Sequence, residues 1–290
     1  MIAFIINPIA GGGRAYRNIT KIENLMNDKA VKYKIFITTY AGEAEKIAKK
    51  AAKDGYKIIT AVGGDGTVHE VINGIRGTKA ALGVIPLGTG NDFARYFKIP
   101  KNIEKAIDIL LTGNIRVIDG AIINDIIIFD NITNIGLDAE VASEVVRFKK
   151  FLTGILAYLV TLFNVVLKYK PYNVDIKLDD LEINRDIMTV AAGVLSYYGG
   201  GFKIIPHADP SDGYLDIVIV NKINKFKLIF LVPLLIMGRH TKLKFVEIYR
   251  AKDVEIRTKD ELTICIDGEI IKDSMIKLKA EKDAINLCTI

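Results

Sequence analysis

Gly63-Gly64-Asp65-Gly66-Thr67-Val68-His69 is the stretch in which residue type and spacing first suggest chemistry. An apolar run from Ile58 to Val62 leads into it and reads as a buried parallel strand. The periodic segment from Thr67 to Ile75 leads out and reads as the start of a helix. Glycines between the two allow unusual backbone angles and let a ligand approach the main chain. The first N–H groups of the helix suit a phosphate. Asp65 would repel that phosphate unless a cation or a reacting hydroxyl stood between them. The combination suggests polyphosphate binding with metal help; an ordinary strand-to-helix turn is the plainer alternative. His69 is placed to meet phosphate or simply to hold structure.

Two other strand-end turns carry similar groups. Asn7-Pro8 follows the apolar run Ile2 to Ile6, and Gly11, Gly12, Gly13 and Arg14 come next, ahead of a helix expected to run to about Asn27. Arg14 can pair with phosphate. Leu82 to Ile85 leads into Pro86-Leu87-Gly88-Thr89-Gly90-Asn91-Asp92-Phe93-Ala94-Arg95. Gly88, Thr89, Asn91 and Asp92 offer groups that bind phosphate and ribose hydroxyls or carry metal-bound water. Thr38-Thr39, before the helix Glu43 to Lys53, reads by itself as an N-cap. No Lys-Ser/Thr pair follows the glycines, so this is not a Walker A loop, and the spacing is not the dinucleotide fingerprint.

The GGDGT string resembles the signature shared by diacylglycerol and sphingosine kinases, NAD kinases and phosphofructokinases. The longer match, Gly63 to Gly74, looks most like the soluble bacterial diacylglycerol kinase-type lipid kinases. Asn7-Pro8 with its glycine run resembles their opening motif, Thr38 their second nucleotide-contacting turn, and PLGTGNDFA their PxGTxNDFA string. The resemblance implies ATP and Mg²⁺ as cofactors and a lipid hydroxyl as acceptor, with diacylglycerol leading. Kinases of NAD or another soluble hydroxyl, and a non-catalytic nucleotide- or lipid-binding regulator, are the competing readings.

Two motifs in the second half extend the resemblance. Asp209-Pro210-Ser211-Asp212-Gly213-Tyr214-Leu215-Asp216 is, on its own terms, a polar turn before a strand. Asp209, Asp212 and Asp216 are also near enough in sequence to offer hard oxygens to Mg²⁺. The family pattern implies a structural magnesium on the Asp212 carboxylate and the backbone oxygens of Asp209 and Tyr214. Asp267-Gly268-Glu269 reads locally as a hairpin turn. The family's D-G-E motif lies at an active site between domains. It implies Glu269 as general base with Asp267 beside it; in sphingosine kinases the GGDG aspartate competes for that role, which here is Asp65.

The elements that must position these groups alternate strand and helix from residue 1 to 75, which implies right-handed βαβ units. Ligands on such sheets bind at the carboxyl ends of the strands, where these turns fall. After about residue 120 the pattern changes to short apolar or alternating segments separated by turn residues, among them Ile126 to Ile132, Asp253 to Arg257 and Leu262 to Ile266, as in an antiparallel β domain. The expected architecture is a Rossmann-like parallel-sheet nucleotide domain over 1–120, with a tail of about 281–290 packing back on it, and a C-terminal antiparallel β-sandwich domain over 121–280. Two stretches interrupt the strands. Phe151 to Leu167 is expected as a helix with one face buried, the bilayer interface being the alternative. Phe226 to Met237 is expected as one short apolar helix.

The chain has 290 residues, half of them hydrophobic, and a net charge of +6. It can build a core and is not a disordered tail. Two cysteines without paired spacing argue for a reducing compartment and against a zinc site. The start reads as a strand and not as a signal peptide. The expected location is cytoplasmic, peripherally associated with the inner face of the membrane, where a basic protein meets anionic lipid. The expected partner is a lipid substrate at the membrane surface, with no nucleic acid, and a homodimer is an open assembly.

Overall fold

The computed structural model describes residues 1–124, 127–129, 131–148, 154–224, 226–229 and 231–290. The chain divides into two compact units, Met1–Gly120 with Glu281–Ile290, and Ala121–Ala280.

The first unit is built from β1 (Ile2–Ile6), α1 (Ala10–Arg17), α2 (Ile19–Asp28), β2 (Tyr33–Ile37), α3 (Glu43–Lys53), β3 (Ile58–Gly63), α4 (Asp65–Ile75), β4 (Ala81–Pro86), α5 (Asp92–Tyr96), α6 (Ile103–Thr112) and the start of β5 (Asn114–Ile123). β1 lies between β2 and β3 and β3 pairs with β4, all parallel. β1 and β4 are buried at every residue, as near-continuous aliphatic runs require when helices cover both faces of a sheet. Phe4, Ile6, Ile22, Met26, Ile85 and Ile107 are among the core residues. The chain's end returns here: Leu287 pairs in parallel with Leu82, and Asp119 accepts the Asp283 N–H at 2.9 Å.

Two helix boundaries differ from the sequence expectation. The helix expected to run from the glycine loop to about Asn27 is interrupted at Asn18, whose φ of −104° is not helical. Within α1, Gly11, Gly12 and Gly13 all take positive φ, a left-handed run that only glycine enters freely. The helix expected from Thr67 begins at Asp65, so the acid sits in the first turn, at the positive end of the helix dipole. α4 buries Val68, Val71, Ile72 and Ile75, one stripe at helical spacing. Gly74 lies against α3, where a Cβ would come within 2.4 Å of the Glu45 carbonyl.

The second unit comprises the end of β5, β6 (Ile127–Phe129), β7 (Ile132–Gly136), α7 (Leu137–Phe148), α8 (Gly154–Lys168), β8 (Tyr172–Leu178), β9 (Leu181–Gly193), β10 (Tyr197–Tyr198), β11 (Phe202–Lys203), β12 (Leu215–Asn221), α9 (Phe226–Ile229), α10 (Val232–Ile236), β13 (Val246–Ala251), β14 (Asp253–Ile266) and most of β15 (Glu269–Thr289). The pairings described within it are antiparallel, in the order β13, β12, β9, β7, β14, β15. Strands expected at Asp253 to Arg257 and Leu262 to Ile266 are one strand, β14, with a register shift between them. β15 was not expected: its exposed first half alternates Lys and Asp with apolar residues too weakly to mark a strand, and pairing with β14 supplies the order.

The expected single helix over Phe226 to Met237 is two short ones, with Pro233 in the first turn of α10. Proline lacks the N–H that would continue the earlier helix. α8 buries Thr161, Leu162 and Val166, which agrees with a helix that has one buried face. Residues 151–153 of the stretch expected from Phe151 to Leu167 lie outside the described residues, as do residues 126 and 130 of the strand expected over Ile126 to Ile132. Among the described residues no helix is long and apolar enough to cross a membrane. Cys265 and Cys288 are both free and buried.

Candidate active site

In the first unit, three glycine turns at the ends of β1, β3 and β4 pack back to back. The Gly63 carbonyl accepts the N–H groups of Leu87 and Gly88, each at 2.8 Å. A Cβ on Gly88 would fall 2.2 Å from Gly64 Cα, and one on Gly11 would fall 2.1 Å from the Leu87 carbonyl oxygen. Glycine is required at both positions because two main chains touch there. Arg14 ties the first turn to the third, donating from Nη2 to the Gly88 carbonyl at 2.9 Å and from Nε to the Gly11 carbonyl at 3.2 Å. Asn7 donates its N–H to the Val62 carbonyl, and its Oδ1 accepts from the Ile9 N–H, fixing the turn through Pro8.

Asp65 is the charged centre of this cluster. Its Oδ1 accepts the Phe93 N–H at 3.1 Å, joining α4 to the start of α5. Burial, and secondarily the neighbouring Asp92 carboxylate, push its pKa up to about 6. Asp92 is buried and held by Arg95, which also donates to the Gly90 carbonyl at 3.2 Å. Asn91 takes a left-handed conformation, and its Nδ2 donates to the Gly88 carbonyl at 3.0 Å. Its Oδ1 is buried without a partner. Gly66 is open: a Cβ there would meet nothing within 4 Å.

The other residues expected here have supporting places. Thr67 and Val68 are buried, Thr67 against Gly63. Thr38 is buried, its N–H on the Ile6 carbonyl at 2.9 Å. His69 is engaged with Asn73, whose Nδ2 donates to the His69 carbonyl at 3.0 Å. Thr89 is exposed.

Sequence reasoning missed two groups here. Arg95, three residues after Asp92, was visible as an i,i+3 ion pair on a helix. Glu70 accepts the Ala44 N–H at 2.9 Å and ties the start of α3 to α4, a long-range bond with no sequence signal.

The remaining candidates belong to the second unit. Asp267 and Gly268 both have positive φ and join Ile266 to Glu269, a two-residue hairpin of the I′ kind. Asp267 also brackets β7: its N–H donates to the Ile132 carbonyl, and its Oδ1 accepts the Ile132 N–H at 3.1 Å. Glu269 is exposed at the start of β15. Asp216 pairs with Gly193 and Gly193 with Ile132, so Asp216 and Asp267 share a row across four strands, three spacings or ~14 Å apart.

At the aspartate turn, Asp212 Oδ1 accepts the Tyr214 N–H at 3.0 Å, and its other oxygen is held by Arg250. Arg250 Nε also lies 3.3 Å from Asp216, and its guanidinium covers the Tyr214 ring at 5.1 Å. Asp209 is exposed. Burial pushes Asp216 up to about 6 against the pull of Arg250. The oxygens are of the hard kind that Mg²⁺ takes, but as arranged a guanidinium supplies the positive charge at Asp212. Arg250 is 38 residues from Asp212, beyond local sequence reasoning. Removing it in Arg250→Gln is expected to cost about 1–2 kcal/mol, because the buried Asp216 loses its counter-charge. The melting temperature should be insensitive to Mg²⁺ in the parent and rise with Mg²⁺ only in that variant. A parent melting temperature that climbs with Mg²⁺ would show that the metal displaces Arg250.

The chain joins a parallel-stranded α/β unit, with glycine turns and acids at its strand ends, to an antiparallel β unit, and the first is suited to holding phosphate. Comparison with known proteins narrows the class. Residues 1–123 match the family model described as the diacylglycerol kinase catalytic domain, and residues 131–289 match the YegS C-terminal NAD kinase beta sandwich-like domain. A diacylglycerol kinase of Bacillus subtilis is 31% identical over 268 residues, covering 91% of this chain and 88% of its own length. One from Staphylococcus saprophyticus is 29% identical, covering 91% and 87%. The crystal structure of a diacylglycerol kinase from Bacillus anthracis shares the fold with a TM-score of 0.78 at 23% identity, covering 100% of this chain and 96% of that one. The chain belongs to the diacylglycerol kinase catalytic-domain family and is a lipid kinase.

Proposed function

We propose that this kinase transfers the γ-phosphoryl group of ATP to the hydroxyl of diacylglycerol, giving phosphatidic acid. The observation that carries the reading is Asp65, a half-buried carboxylate with its pKa pushed up to about 6, set among three glycine turns at parallel strand ends. In this reading the first unit is a Rossmann-like nucleotide domain and the second holds the lipid. Arg14 and the main chain around Gly63 to Thr67 face the phosphates, while Gly66 leaves room for their approach. Mg²⁺ travelling with ATP supplies charge neutralisation during transfer. The orphaned Oδ1 of Asn91 is of the hard kind that such a cation takes and would face it, while Arg95 already supplies the counter-charge at Asp92.

Asp65 takes the proton of the attacking hydroxyl in this account. A general base must be ionised, so kcat/KM should fall about tenfold per pH unit below pH ~6 and level off above it. Glu269 is the second reading, favoured by its exposure at the hairpin tip. Glu269→Gln separates the two. With Asp65 as base the variant keeps the acid limb of the pH profile; loss of that limb would move the role to Glu269. Peripheral association with the inner membrane face follows from a water-insoluble substrate and a basic chain.

A further inference from the structure

β2 closes the strand order of the first unit and runs parallel to β1, so its carboxyl end lies on the same side as the three glycine turns. The turn that follows it, Thr38 to Gly42, carries a ring that its own unit leaves in water: Tyr40 is 54% exposed. In the adjoining turn, after β1, Ile9 is 80% exposed. Two large apolar side chains therefore stand open at the end of the sheet where ligands of such folds bind.

The turn beneath Tyr40 is closed. Glu43 Oε2 accepts both the N–H and the hydroxyl of Thr39, the hydroxyl at 2.8 Å. Thr38 donates its N–H to the Ile6 carbonyl, on the strand that ends in Asn7-Pro8. Lys46, in the first turns of α3, lies over the Tyr40 ring with Nζ 5.1 Å from its centre, and donates to the phenol oxygen at 3.4 Å. The ring is thus preset by its own turn and by an ammonium, and more than half of it is still free to meet a ligand.

We propose that Tyr40 is the platform on which the base of the nucleotide stacks, with Lys46 holding the ring in place. The inference rests on ATP as the phosphoryl donor, and it concerns the end of ATP that the glycine turns do not explain. β2 lies two strand spacings from β3, ~10 Å, with β1 between them. Phosphates on the main chain of Gly63 to Thr67 leave the nucleoside to cross the end of β1 and reach the turn after β2. A base has a flat π-face, which an aromatic ring takes, and apolar Ile9 suits its edge better than water does. The charge of Lys46 would suit a phosphate, but it is engaged with the ring.

The chain contains no tryptophan, so Tyr40→Trp puts a single reporter on the platform of the full-length protein. Its emission should be quenched by ADP with Mg²⁺ and left unchanged by inorganic tripolyphosphate, which has the phosphates and no base. Tyr40→Ala should raise KM for ATP at least fivefold while kcat and melting temperature hold, and Tyr40→Phe, which keeps the ring, should restore KM. Inhibition by tripolyphosphate should be equal in Tyr40→Ala and the parent. Emission that ADP leaves unchanged would overturn the proposal. So would a matching loss of tripolyphosphate inhibition in Tyr40→Ala, which would place phosphate and not the base at this turn. If ADP quenches the reporter but the parent phosphorylates no lipid, the platform stands and the acceptor assignment fails.

Discussion

Asp65→Asn is expected to abolish phosphoryl transfer and, at the same time, to make the protein more stable at neutral pH. Burial and Asp92 hold the folded-state pKa of Asp65 near 6, against 3.8 for the free group. The folded protein therefore binds a proton more readily than the unfolded chain, so stability falls as pH rises from about 4 to 6. At pH 7 the ionised acid costs up to ~3 kcal/mol, two pKa units at 1.36 kcal/mol each. Asparagine keeps an oxygen for the Phe93 N–H and carries no charge. The variant should gain about 1–3 kcal/mol at pH 7 and little at pH 4. Urea unfolding at the two pH values measures this, and turnover measured beside it should be lower by at least ~10²-fold. A variant that is inactive and also less stable at pH 7 would make Asp65 a structural residue.

Gly88→Ala should be among the most damaging single methyls in the first unit, with Gly11→Ala. Its Cβ would sit 2.2 Å from Gly64 Cα and 2.8 Å from Asn91 Oδ1, and main chain cannot rotate out of the way. Forced overpacking of this kind costs about 3 kcal/mol. The strain falls on the turn that carries Asp65, so KM for ATP should rise and kcat fall together, by ~10²-fold in kcat/KM. Gly66→Ala is the control, because a methyl there meets no protein atom within 4 Å. It should leave the fold intact and raise KM for ATP alone, since its methyl occupies the space proposed for phosphate. Equal melting temperatures for Gly88→Ala and the parent would show that the turns can separate without cost.

Motifs whose meaning is local were legible in the sequence. Three glycine turns following apolar runs fall at strand ends in one unit, and Asp267-Gly268 forms the hairpin that the pair favours. The part that was not legible depends on distant partners. Arg250 reaches Asp212 from another strand, and Glu70 reaches Ala44 from another helix. β15 has a weak pattern of its own, and register with β14 orders it. Pro233 was visible, and its missing N–H accounts for the split of one apolar run into α9 and α10.

Transfer to a lipid hydroxyl is measured by incubating the purified protein with γ-labelled ATP and mixed micelles of diacylglycerol, a sphingoid base and an isoprenoid alcohol, with NAD as a soluble acceptor, and separating the products. Label should appear in phosphatidic acid, with none in phosphorylated NAD and none from Asp65→Asn. Label in phosphorylated NAD and not in any lipid would contradict it.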